Sequence, residues 1–415
     1  MNPKLRPVNA QLVNHAGERM VLLQDRSALT EQVVVLPTKL TPLLPLFDGT
    51  RDEARIQAAF ELHTGIRLSL ETIQSVIQKL DDALLLDSPR FAARKAEALA
   101  AYRAAPFRPP AMADKSYPAN TGELTAILDE LCDEARRRAE VAAEEATEEP
   151  APPPAGPVRG LICPHIDYAR GGAVYASTWL RAAEALREAE LVVMFGTDHM
   201  GRPGALTPTL QAYATPWGAL PLAKDVVEAV AEAIGPEEAF ADELNHRSEH
   251  SLELAIVWLH YFTRERPVAV APVLCGGFGP YTEGEKDPKE VAAYDRVTAA
   301  LQQATEGRRT LFVAAADLAH IGPAFGDLFP LGRADMARLL EADERRLSAV
   351  CDGDAEAFLA VLRQERDQQR VCGLPPIYFT LRALGGAEGE IVAYAQCPAD
   401  AQGTSFVSVA GVVFS

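Results

Sequence analysis

From residue 158 onward, near-continuous apolar runs alternate with stretches whose apolar residues recur at helical spacing. The runs are LICPH (161–165), LVVMFGTDH (191–199), VAVAPVLCGG (268–277), TLFVAAADLAH (310–320), EIVAYAQC (390–397) and SFVSVAGVVF (405–414). Helical spacing marks 174–189, 249–264 and about 289–305 between them. Strands without polar alternation are buried on both faces, which requires helices above and below the sheet. The pattern predicts an α/β fold: a mixed sheet covered by helices on both faces.

The first hundred or so residues read differently. MVLLQDRS (20–27) and QVVVLP (32–37) have the length and β-branched content of short strands, and 38–47 that of a short helix. The stretch 51–65 is helical and stops at Gly65, Ser69 is placed to cap a second helix over 70–82, and 83–91 reads as a strand or wing. Short strands, helices and a terminal hairpin predict a small winged-helix-like α+β domain. Acidic residues are mixed through both main helices, so the basic face of a DNA reader is missing.

Two stretches break the periodicity. Residues 139–157, AEVAAEEATEEPAPPPAGP, have almost nothing to bury and predict a disordered or exposed loop. Prolines interrupt a helical pattern within 104–116. The predicted division is 1–110, a partner-binding module, and 111–415, the α/β domain.

Charge narrows the partners. A formal net charge of -18 over 415 residues disfavours nucleic acid and anionic membrane surfaces, since both need clustered Lys and Arg. No apolar run reaches the roughly 20 residues of a spanning helix, and the first twenty residues lack a signal peptide's apolar middle, so a cytoplasmic protein is expected. In that reducing setting Cys132, Cys163, Cys275, Cys351, Cys372 and Cys397, with no CxxC among them, are free thiols or metal ligands.

The chemistry sits at strand ends. One run leads to His165, a second to Asp198 and His199, a third to Asp317 and His320. Ligands of open α/β sheets bind outside the carboxyl ends of the strands, so these histidines can converge in one crevice. Ser248 is placed to cap the 249–264 helix, with Glu249 and His250 in its first turn beside the crevice or solvent. Imidazole is both a common metal ligand and a neutral-pH proton carrier, and Asp167, Asp198 and Asp317 can ligate or orient it. Each residue taken singly also fits a satisfied polar group at a strand end. Cys372 lies in VCGLPP, a Cys-Gly turn opening a helix with Pro376 at its first position; a helix N-terminus favours a thiolate, and a small buried Cys at a tight turn is the plainer alternative. No G-x-S-x-G elbow or P-loop is present, and GGFG (276–279) is too short for a dinucleotide fingerprint.

With these motifs, in the order PHIDYARGGAVYA (164–176), FGTDHMG (195–201), YATPWG (213–218), EHSLEL (249–254), APVLCGG (271–277), AAADLAHIG (314–322), CGLPPI (372–377) and AYAQC (393–397), the segment from 116 to the C-terminus resembles the MEMO family, in particular component B of the AmmeMemoRadiSam system. The resemblance implies a fold similar to the class III extradiol dioxygenases and a metal site of two histidines and a cysteine, carried over to His165, His199 and Cys372, with His320 as a further pocket histidine. His165-Ile166-Asp167 stands where the family has His-Ala-Gly, and Asp198-His199-Met200 where it has Ser-His-His. LFDGT (46–50), the 51–64 helix and LDDALLLDS (80–88) resemble PqqD-like domains, implying a peptide or radical-SAM partner along a strand edge.

The resulting expectation is a non-haem Fe(II) or copper oxidoreductase acting with a radical-SAM/AMMECR-type system. In it Asp317, His320 and His250 act as catalytic groups on a small-molecule or peptide substrate, Asp167, Asp198 and Glu249 bias the ligands, and Tyr168 and Arg170 contact substrate. The same ligands suit a zinc-dependent hydrolase, and the altered neighbours suit a non-catalytic binding scaffold.

Overall fold

A computed structural model describes residues 2–15, 17–145 and 156–415. The chain forms two compact units, Met1–Ala104 and Ala105–Ser415.

The first unit opens with an antiparallel sheet of β1 (Val8–His15), β2 (Glu18–Asp25) and β3 (Val33–Pro37), paired in that order. β2 and β3 match the sequence pattern, whereas β1, with its exposed and polar positions, was not legible as a strand. Pro42 and Pro45 hold Thr38–Leu46 to a 3-10 helix. Helix Glu53–Thr64 is capped by Asp52 and ended by left-handed Gly65, and Ser69 caps Leu70–Asp82 as expected. The strand or wing expected over 83–91 does not form. Leu84 turns with φ 58°, Leu85 and Leu86 plug the core, and helix Pro89–Ala104 starts immediately after. A three-leucine run suits a buried plug as well as a strand, and burial decided it. The unit's sheet is thus N-terminal rather than a closing hairpin, around a core that includes Leu23, Leu36, Phe47, Phe60 and Leu80.

The second unit is built on one mixed sheet. β4 (Gly160–Cys163), β5 (Leu191–Asp198), β9 (Ala269–Gly276) and β10 (Thr310–Ala315) form its parallel centre in the order β4-β10-β5-β9. β6 (Leu206–Pro208) adds antiparallel to β9, and β13 (Phe406–Phe414) adds antiparallel to β4, carrying β11 (His320–Ile321) and β12 (Gly389–Pro398). A separate two-stranded ribbon joins β7 (Ala214–Thr215) and β8 (Gly218–Ala219).

Alternate residues of the central strands feed two cores. Val193, Phe195, Val273, Phe312 and Ala314 pack with helices Lys224–Ile234, Ala292–Thr305 and Leu374–Leu384. Val192, Met194, Leu161, Val313 and Leu274 pack with Thr121–Glu145, Tyr168–Arg181 and Ser251–Thr263. Both faces are covered, which is why these strands show no polar alternation.

Three boundaries differ from those expected of the sequence. Helix Thr121–Glu145 absorbs the start of the expected 139–157 loop, because Ala and Glu are strong helix formers; 146–155 lie outside the described residues. Residues 105–110 belong to the second unit, where Arg108 is fully buried. Ser248 ends a short 3-10 turn, Glu243–Arg247, and His250 stands at the N-cap of Ser251–Thr263, so Glu249 and His250 precede the helix.

Candidate functional site

Parallel pairing sets Cys163 beside Ala315 and Ala315 beside Gly196, so β4 and β10 finish level and β5 runs two residues further, to Asp198. The chain beyond each finish supplies one part of the site: His165, Asp317 and His199.

The ring of His165 is 2% exposed, and its Nδ1 lies 3.0 Å from the Ala315 carbonyl. A carbonyl only accepts, so Nδ1 carries the proton and donates, leaving the Nε2 lone pair free. His199 is likewise engaged at Nδ1. Its Nδ1 lies 3.0 and 3.1 Å from the two carboxylate oxygens of Glu249, and its backbone N–H donates to the same carboxylate at 3.1 Å. Cys372 Sγ lies 3.3 Å from His165 Nε2. Donor atoms of His165, His199 and Cys372 all fall within 4.8 Å of one another.

Metal–nitrogen and metal–sulfur bonds of ordinary length place tetrahedral neighbours about 3.6 Å apart; the Cys372 Sγ to His165 Nε2 separation of 3.3 Å is close to that, and the trio could hold one transition-metal ion. Donor chemistry agrees. Burial, with the charge of Asp317 added, pushes the Cys372 thiol well above its ordinary range. A cation is what would make its thiolate favourable, at the cost of one released proton. This replaces the expectation that the helix N-terminus alone would ionise it. The helix begins at Leu374, two residues later, with Pro375 rather than Pro376 in its first two positions.

Burial lowers the His165 pKa to about 4, against the opposing charge of Asp317, so the ring is neutral as a ligand must be. For His199 burial disfavours the charged ring, but the hydrogen bond and charge of Glu249 outweigh it and raise the pKa. Glu249 moves the opposite way, well below the carboxylate range, because His199 and His250 outweigh its burial.

A second group of donors, His199, Glu249 and His250, also lies within 4.8 Å. Its carboxylate is already saturated: Oε1 accepts from the backbone of His250 at 2.8 Å and of Ser251 at 3.0 Å, besides both imidazoles. That cluster is a hydrogen-bonded knot. The rings of His199 and His250 stack at 4.8 Å, and His165 meets both edge-on at 5.2 and 5.6 Å. His250 is thereby more central than a first-turn helix residue would be.

Asp317 takes the backbone N–H of His165 at 2.8 Å and of Ile166 at 3.2 Å, holding the loop that carries the ligand; its other oxygen is 3.6 Å from His165 Nε2. His320 stands apart from the donor trio, its Nδ1 on the Leu318 carbonyl at 3.2 Å and its ring against Phe325. Burial lowers its pKa.

The remaining expectations need correction. Asp198 turns to Asn245 Nδ2 (2.9 Å) and the Met200 N–H (3.0 Å); burial raises its pKa to about 6, and it holds the His199 loop instead of its ring. Asp167 caps helix Tyr168–Arg181 and pairs with Arg170 at 2.5 Å, because an Asp preceding a helix has free backbone N–H groups to accept. Tyr168 is buried, donates to the Leu254 carbonyl at 2.7 Å and stacks with Tyr117, so it is core rather than a substrate contact.

Residues without a sequence signal complete the site. Asn245 supports the His199 loop. The Cys372 turn is held by Thr197 Oγ1, which donates to the Cys372 carbonyl at 3.1 Å. Cys372 and His199 border a cleft of about 360 Å³ shared with Asp198, Phe278, Asp367 and Arg370. The side chain of His199 is 36% exposed, which gives the trio its access to this cleft.

The sequence profile of the family described as "Memo-like protein" matches residues 108–413. A MEMO1 family protein of Aquifex aeolicus is 26% identical over 424 residues, covering 100% of both chains. Another, of Thermus thermophilus, is 26% identical over 349 residues, 84% of this chain and 94% of its own. A third, of Methanosarcina barkeri, is 26% identical over 240 residues, 57% of this chain and 78% of its own. The matched span contains every member of the donor trio and the strands that align them, and the chain therefore belongs to the Memo-like protein family.

Proposed function

We propose that His165, His199 and Cys372 hold one divalent transition-metal ion, Fe(II) before copper or zinc, and that the chain is a non-haem metal-dependent oxidoreductase. One observation carries this reading: three donors come within 4.8 Å while Ala315 and Glu249 already engage the other nitrogen of each imidazole. Two imidazoles and one thiolate leave coordination positions open, and a bound iron would supply redox chemistry there. A mixed sheet with its site at the carboxyl ends of parallel strands supports the likeness to the extradiol dioxygenases.

The chain's own groups have separable tasks in this reading. Ala315 and Glu249 select the tautomers of His165 and His199, and Asp317 holds the His165 loop by two backbone N–H groups. His250, stacked on His199 and sharing the Glu249 carboxylate with it, and His320 hold or move a proton at their ring nitrogens. The cleft beside Cys372 admits a small molecule or an extended peptide end. A radical-SAM protein or peptide is the proposed partner of the first unit, whose sheet has β1 and β3 at its edges. Among the described residues no helix is long and apolar enough to cross a membrane.

Metal analysis of protein purified anaerobically tests the reading, with His165→Ala, His199→Ala and Cys372→Ala alongside. Expected is about one iron per chain, lost in each variant. Zinc alone would shift the assignment to metal-assisted hydrolysis on the same ligands. No metal in the wild type, even after Fe(II) addition, would refute metal chemistry and leave a binding scaffold.

A further inference from the structure

The segment that delivers Glu249 to His199 has no regular secondary structure of its own beyond a single 3-10 turn, Glu243–Arg247. Something must fix it, since a carboxylate displaced by an ångström would release His199 to either tautomer. The side chains of Asn245 and His246 are tied to Asp198, Thr207 and Tyr213, and the backbone carbonyls are tied by Arg108, which lies far away in sequence and is fully buried.

Arg108 reaches across with every arm of its guanidinium. Nε donates to the His246 carbonyl at 2.9 Å, Nη2 to the Glu249 carbonyl at 2.8 Å, and Nη1 to the Pro109 carbonyl at 3.1 Å and to the carboxylate of Glu253. Glu253 is equally buried, and its other contacts are the N–H groups of Ala111 and Met112 and the hydroxyl of Tyr117. The Arg108 backbone is itself anchored, donating to Ala212 and accepting from Ala214. The guanidinium therefore brackets residues 246–249 by their first and last carbonyls, from an anchored backbone.

We propose that Arg108 is a positioning residue of the metal site, acting through the His246 and Glu249 carbonyls to hold Glu249 against His199 Nδ1. The proposal rests on the metal reading for its consequence, but its mechanism is a tautomer and is visible without metal. Two donors to two carbonyls need the planar fork of Arg; the single ammonium of Lys keeps the charge opposite Glu253 and cannot span both.

The test compares full-length wild type, Arg108→Lys, Glu249→Gln and the double variant. In metal-free protein at alkaline pH, the imidazole ¹⁵N shifts of His199 report the Nδ1–H fraction. A dominant Nδ1–H form in wild type and a mixture in Arg108→Lys are expected. With Co(II) as the probe, Arg108→Lys is expected to weaken binding about 10- to 100-fold, the usual cost of losing support behind a ligating histidine. The double variant is expected to bind no worse than Glu249→Gln alone, because both act through one carboxylate. An unchanged tautomer in Arg108→Lys, or losses that multiply, overturns the proposal. A wild type that ignores Co(II) but shows the tautomer change would sink the metal reading and leave the positioning role standing. Should Arg108→Lys fail to fold, Arg108→Gln with Glu253→Gln, an uncharged buried pair, makes the same comparison, since removing both charges together leaves no uncompensated charge in the interior.

Discussion

A histidine buried in this chain is defined by what its two nitrogens meet. His246 shows it away from the donor trio: its Nε2 faces the Thr207 carbonyl at 2.7 Å, so it donates there, and its Nδ1 accepts from Tyr213 Oη at 2.7 Å. A neutral ring satisfies both contacts and a charged ring loses one. Burial accordingly lowers its pKa from 6.5 to about 3. Between those values the unfolded chain binds a proton that the folded chain refuses, so stability is complete above pH 6.5 and falls as pH drops towards 3. The contribution is at most one proton, about 1.4 kcal/mol per pH unit. Urea unfolding across this range, in wild type and His246→Gln, isolates it: the variant's stability should depend less steeply on pH, and equal slopes would show that the ring is protonated in the fold. At this scale the sequence was informative where residue type limits chemistry. His165 and His199 stood out as scarce donors at strand ends and Glu249 as a carboxylate near them, whereas Cys372 was singled out by the family resemblance. It was uninformative where backbone carbonyls are the partners, because any residue carries one; hence Arg108, within the proline-rich FRPP, gave no sign of its role.

Elements place these groups by meeting at close range. The strands were legible because a short run such as Leu191–Asp198, apolar almost throughout and buried at every position, fits the centre of a covered sheet and little else. Pairing order was not legible, since β4 and β10 are adjacent although about 150 residues separate them. Nor was the approach of the Cys372 turn to β10. Gly373 N–H donates to the Asp317 carbonyl at 3.0 Å, and a Cβ on Gly373 would meet that carbonyl oxygen at 2.3 Å and the Ala316 Cβ at 2.7 Å. Glycine is needed there for proximity, its φ of -77° being open to any residue. Gly373→Ala should push the turn off the strand end, destabilising the protein by about 1–3 kcal/mol as overpacked sites do. It should also carry Cys372 Sγ away from His165. Loss of the thiolate-to-Co(II) charge-transfer band, in protein that still unfolds cooperatively, is the expected result. A normal band would mean that the turn moves without moving the sulfur. Misread elements have the same origin: 83–91 and 139–145 have compositions compatible with two states, and tertiary packing or helix propensity chose between them.

At the scale of the whole molecule, the first unit has a core of its own, and the candidate metal site lies in the second. Residues from Leu23 to Leu86 close the first core among themselves, whereas His165, His199, Cys372, Glu249, Asp317 and Arg108 all lie in Ala105–Ser415. The family profile begins at Arg108, the residue that anchors the site's supporting loop, so family match and structural unit start within a few residues of each other. No described donor of the site comes from the first unit. Removing Met1–Ala104 should therefore leave Co(II) stoichiometry and affinity unchanged, while abolishing any partner binding that the edge strands of the first sheet provide. Titration of the shortened and full chains with Co(II), followed by the thiolate band, decides the first half; co-purification of a radical-SAM protein with the full chain alone decides the second. If the shortened chain folds cooperatively yet binds Co(II) more weakly, the two units are coupled through the site, and the first must be counted among the groups that shape it. If metal binding is equal and the partner is captured by both chains, docking belongs to the α/β unit, and the edges of β1 and β3 have no part in it.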